Sequence, residues 1–124
     1  MTRRLALLFG VLALVAASCG GEERQGALLV PDPTADSYDY DYEIPLGTGD
    51  RFDNGEIIEI IPAELEVTVG EVLRIINDDD RDHLIGPFFV GAGETLVQRF
   101  SAPGDFEGIC TVHPSGQFIL TVNA

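Results

Sequence analysis

The chain has 124 residues, a formal net charge of −14 and a sequence pI near 4.1; it holds seven Arg, no Lys, two Cys, two His and a single Met at position 1. The length suits one small domain plus a tail, and the acidity excludes nucleic acid as a partner. Two Cys cannot build a multi-bridge disulfide scaffold, two Cys with two His are too few for most zinc-cluster folds, and a Met confined to position 1 leaves the domain no thioether ligand.

Residues 1–18 read MTRRLALLFGVLALVAAS: two Arg, an apolar run from Leu5 to Ala17, then small residues before Cys19. This is the pattern of a secretory signal, and the apolar run is short of the roughly 20 residues a membrane span needs. Ala16-Ala17-Ser18-Cys19 resembles a bacterial lipobox, in which the Cys becomes the first mature residue and carries the lipid. The resemblance implies an extracytoplasmic protein held at the bacterial cell membrane by a lipid on Cys19. The alternative is an ordinary cleavable signal with a Cys near its cut site. Acylation of Cys19 would leave Cys110 without an intramolecular partner, and a lone thiol in an oxidising compartment is a liability unless it is used. Two Arg and none of the 21 acids precede residue 19, so the rest of the chain carries −16.

Residues 19–37 are rich in Gly, Pro and polar groups and read as a flexible linker after Cys19. The domain is expected over 38–124. Tyr38 to Tyr42 alternates aromatic and acidic residues, which places a weak edge strand at about Tyr42–Leu46. Ile57–Ile61 is a short β-branched run ended by Pro62. Leu65–Val69 alternates with period two, and Gly70-Glu71 turns the chain into a strand over Val72–Asn77. Asp78–Asp82 reads as a polar loop, with Asp78-Asp79-Asp80 solvated; the run lacks the interleaved spacing of an EF-hand calcium loop. Further strands are expected at Phe88–Val90, Thr95–Phe100, Phe106–Cys110 and Gln117–Asn123. Short strands at this spacing, with no helical periodicity, predict an all-β fold, a small sandwich or barrel.

Both His and the unpaired Cys fall in two loops of this fold. His83 follows the acidic loop, and Cys110 and His113 flank the turn C-T-V-H. One thiolate and two imidazoles can hold copper in a trigonal site with a weak axial ligand. A Cys–His nucleophile pair is the other sharp chemistry, but no orienting third group or oxyanion motif accompanies it. Taken singly, a loop His is a solvated side chain and a strand Cys a small buried hydrophobe.

Three segments carry a family resemblance: IPAELEVTVGEVLRIINDDDRDH (61–83), GAGETLVQRF (91–100) and PGDFEGICTVHP (103–114). From about Tyr42 to the C-terminus the chain resembles a cupredoxin, the small blue-copper family. The resemblance implies a Greek-key β-sandwich with one copper held equatorially by His83, Cys110 and His113. It implies a surface ring of Pro87, Phe88, Phe89 and Pro114 around the second His, and a tie between the two ligand loops by Asn77. The customary axial Met is absent. Gln117 is the substitute, although Gly116 falls nearest the Met position; an axially open site, with the Asp82 carbonyl nearby, is the alternative. Leu84 stands where several relatives carry Asn. The implied function is one-electron transfer or copper handling outside the cytoplasm by a monomer that is not an enzyme. A redox partner would dock through a basic face. The alternative is a metal-free sandwich acting as a structural or binding module.

Overall fold

The computed structural model describes residues 29–124; the expected signal, Cys19 and the start of the linker lie outside the described residues. Among the described residues, nine strands and one short helix follow in order: β1 (Leu29–Pro31), β2 (Tyr40–Ile44), α1 (Thr48–Asp53), β3 (Glu64–Thr68), β4 (Val72–Asn77), β5 (His83–Ile85), β6 (Phe88–Val90), β7 (Thr95–Phe100), β8 (Gly104–Ile109) and β9 (Gln117–Asn123). They form a four-stranded sheet in the order β1-β7-β4-β2, a three-stranded sheet β3-β9-β8 and the two-stranded β5-β6. The chain crosses between the two larger sheets at β2–β3, β3–β4 and β7–β8. Hence β2 lies parallel to β4, and β3 parallel to β9. The architecture is the expected all-β Greek-key sandwich.

Side-chain alternation decides which faces meet. In β3, Leu65 and Val67 are buried between exposed Glu64, Glu66 and Thr68, and β9 buries Phe118, Leu120 and Val122. The opposing sheet supplies Ile44, Leu73, Ile75 and Phe100. Each fully buried side chain of this size contributes about 1.5–3 kcal/mol. Phe88 meets Phe118 edge-on, with ring centroids 6.4 Å apart. At the β5–β6 turn, Gly86 has φ +56°, and a Cβ there would lie 2.6 Å from the Phe118 ring, so both conformation and packing demand glycine.

Four local readings are corrected. The sandwich begins before residue 38: β1 lies inside the expected linker and pairs antiparallel with β7, Leu29 opposite Phe100. Ile57–Ile61 forms no strand; Ile57 is 88% exposed while Ile61 is buried, so the run anchors one end of a loop. α1 has only six residues, too few to register as helical periodicity. Finally, Asp79 is buried rather than solvated.

Candidate metal centre

The first element of the site is set by Asp79. Its Oδ1 accepts from the backbone N–H of Gly47 and of Asp80, both at 2.9 Å, and its Oδ2 accepts from the N–H of Gly49 at 2.9 Å. The same Oδ2 lies 2.7 Å from Nε2 of His83. Both side chains are buried, at 0% and 3% exposure. Burial alone would raise the Asp79 pKa, but the His83 hydrogen bond and the Gly49, Gly47 and Asp80 amides outweigh it. The carboxyl is held well below the usual carboxylate range. An ionised carboxylate can only accept, so Nε2 of His83 is the donor in this bond.

The other ring nitrogen, Nδ1, lies 3.0 Å from Oγ1 of Thr111. The Thr111 hydroxyl also accepts from the N–H of Leu84 at 3.0 Å. Backbone bonds run alongside: Thr111 N–H donates to Leu84 O at 2.9 Å and Gly86 N–H to Ile109 O at 2.6 Å. These bracket an antiparallel bridge between Ile85 and Cys110. β5 therefore lies directly beside the segment that carries the thiol.

Cys110 is a free thiol, 2% exposed and turned inward. Burial pushes its pKa up, and the Val112 amide hydrogen-bonded to the sulfur partly offsets this. Its own N–H donates to Gly116 O, closing the loop that holds His113. In that loop Ser115 N–H donates to Nδ1 of His113 at 3.0 Å, with Ser115 Oγ at 2.7 Å from the same nitrogen. Nδ1 is thus the acceptor, and the proton sits on Nε2, which faces Oε1 of Glu59 at 3.9 Å. Both imidazoles set Nε2 toward a carboxylate and Nδ1 beside a loop hydroxyl, Thr111 for His83 and Ser115 for His113.

The other expected residues are placed differently. Gln117 pairs with Ile109 on the exposed face of β8 and β9, whereas Cys110 turns inward against Ile85; the structure does not bring Gln117 to the thiol. Asn77 is fully buried, and its Nδ2 faces the carbonyls of Arg81 at 2.8 Å, Val90 at 3.1 Å and Gly91 at 3.1 Å, while its Oδ1 accepts from Asp79 N–H. It ties the acidic loop to the end of β6, not to the Cys110–His113 loop. That tie belongs to Thr111, whose role only its neighbours reveal. Of the expected apolar ring, Phe88 is in the core, Phe89 is 61% exposed and Pro114 is exposed.

Copper is the metal these residues imply, and in kind they fit it. A thiol and two imidazoles are suitable donors, and a carboxylate on the far nitrogen is the usual support for a ligating His. In position they are not gathered: among the described residues, no three His, Cys, Asp or Glu side chains form a group that could hold a metal ion.

No family model and no curated protein matches the sequence. Solved structures do. An oxidized amicyanin variant is 16% identical, with 77% of this chain and 99% of that chain covered, at a TM-score of 0.46. A purple cupredoxin from Nitrosopumilus maritimus is 24% identical, with 68% and 100% covered, at 0.44. A reduced amicyanin variant is 18% identical, with 73% and 87% covered, at 0.44. The fold resembles theirs. The likeness is one of fold.

Proposed function

We propose that the chain is a copper-binding protein of cupredoxin-like architecture that acts outside the cytoplasm. The observation that carries this reading is the pairing of β5 with the segment ending at Cys110. It sets the free thiol and both imidazoles of the chain on two adjoining segments, β5 and Cys110–His113. His83 and His113 through Nδ1, with Cys110 through its sulfur, are the residues that would hold the metal. Bound copper supplies a one-electron couple. The protein's part is to keep the rings in one tautomer, to exclude water from the thiol and to hold the loops on a stiff sandwich. To hold a metal, the two Nδ1 atoms would give up their present contacts, that of His83 with the Thr111 hydroxyl and that of His113 with the N–H and hydroxyl of Ser115. Exchanging one neutral hydrogen bond costs about 1 kcal/mol, small beside a metal–ligand bond. With Gln117 turned outward, His83, Cys110 and His113 are the three residues that would hold the metal.

Charge supports a basic partner. The outward side of β3, β9 and β8 presents Glu64, Glu66, Asp105 and Glu107, all exposed. Arg51, Arg74, Arg81 and Arg99 are each paired with carboxylates elsewhere. A redox partner with a basic face would be steered to this side, with an association rate that falls as salt rises. Attachment through a lipid on Cys19 is part of the same proposal, and mass measurement of the membrane-fraction protein tests it. Among the described residues no helix is long and apolar enough to cross a membrane.

The ungathered donors favour a second reading, a metal-free sandwich acting as a binding module. Equilibrium dialysis of the full chain against copper separates the two. The copper reading expects one tightly held ion per chain, with occupancy lost in His83→Ala and in Cys110→Ala. Absence of stoichiometric copper contradicts it.

A further inference from the structure

We propose that Asp79 is the positioning residue of His83, selecting through a carboxylate buried beneath α1 which ring nitrogen carries the proton and which keeps its lone pair. The use of that nitrogen rests on the copper reading; the selection itself does not.

The argument begins with saturation. A carboxylate offers about four acceptor sites, and Asp79 has four donors: Gly47 N–H and Asp80 N–H on Oδ1, Gly49 N–H and His83 Nε2–H on Oδ2. Three donors are backbone amides and cannot change role. They fix the carboxylate in place as an acceptor, and the ring has one compatible tautomer. A helix-capping role alone explains Gly47 and Gly49 and leaves the buried imidazole unaccounted for. A buried ring needs no carboxylate for packing, because an apolar side chain of similar size fills the same space without desolvating a charge.

The surroundings are built to hold this pair. Arg81 spans α1 from outside with ion pairs to Asp50 and Asp53. Gly49 lies so close beneath it that a Cβ would sit 2.5 Å from Arg81 Cδ. Asn77 Oδ1 accepts from Asp79 N–H at 3.0 Å and sets the backbone of the loop. On the far side of the ring, Nδ1 meets Thr111, the residue after Cys110. A line of hydrogen bonds thus runs from α1 through Asp79 and His83 to the neighbour of the thiol.

The test is nitrogen-15 NMR of the ring nitrogens in the metal-free full chain at neutral pH, with Asp79→Asn beside the unsubstituted protein and His113 as internal control. The carboxamide can donate to Nε2, so the variant is expected to shift His83 toward the Nδ1–H tautomer and leave His113 unchanged. Copper affinity, read on the same samples, is expected to fall about 10–100-fold, the usual effect of losing such a partner. If the unsubstituted protein carries its His83 proton on Nδ1, the proposal is overturned, whether or not the variant folds. It is also overturned if Asp79→Asn leaves the tautomer unchanged. If neither protein binds copper, the copper reading fails and the tautomer alone decides this inference.

Discussion

Oγ1 of Thr111 lies 3.0 Å from Nδ1 of His83, and Thr111 directly follows Cys110, so one hydroxyl joins the two segments of the candidate site. That hydroxyl also sits on the nitrogen that the proposed copper site would use. Thr111→Val keeps the shape and removes the competitor, while leaving Leu84 N–H without its acceptor. The expected outcome is a stability loss of about 1–2 kcal/mol, measured by urea unfolding, with copper affinity undiminished. A fall in affinity would show that the hydroxyl supports the bound state instead of competing with it.

Loss of the Asp79 carboxylate should cost far more. Asp79→Ala leaves Gly47 N–H, Gly49 N–H and His83 Nε2–H without their acceptor in a buried site, and about 3 kcal/mol of destabilisation is expected. The pH dependence follows from the sign of the shift. The folded pKa of Asp79 lies below the unfolded value of 3.8, so its contribution is present above that value and is lost as pH falls through the folded one. The unsubstituted chain should lose stability as pH falls below about 3.8, and Asp79→Ala should show a flatter acid limb. Equal acid limbs in urea unfolding would contradict this.

The strands with a clear period were legible in the sequence, because alternation in Leu65–Val69 and the β-branched run Val72–Asn77 leave few ways to bury a face. β5 was not legible: three residues carry no period, so His83 read as a loop residue. Pro31 and its Gly- and Pro-rich surroundings hid β1, whose pairing with β7 comes from tertiary contact. The deepest miss was Asp79. An Asp triplet reads as solvated, and nothing local signals that amides 30 and 32 residues away converge on its middle carboxylate. The donors His83, Cys110 and His113 were legible as residue types in order. Their present partners Thr111, Ser115 and Glu59 were not, since each is an unremarkable polar residue until folded. Gln117 was assigned by its distance along the chain, whereas strand parity in β9 turns it outward.

Gly86 and Gly108 lie directly against each other. A Cβ on Gly108 would sit 2.9 Å from Gly86 Cα, and backbone cannot yield cheaply. Gly108→Ala is expected to cost about 2 kcal/mol and to lengthen the Gly86 N–H to Ile109 O bond that aligns β5 with Cys110. Hydrogen exchange at the Gly86 amide should quicken along with the loss of stability. A slow amide at an unchanged urea midpoint would show that the two segments are not locked together there.

The central claim is that the buried thiol of Cys110 and the two imidazoles bind copper. Its most direct test is the visible absorption spectrum of the full chain after one equivalent of Cu(II), with Cys19→Ala as the control for the second thiol. The account predicts a thiolate-to-copper band that persists in Cys19→Ala and disappears in Cys110→Ala. A chain that shows no such band, or a band that survives Cys110→Ala, contradicts it.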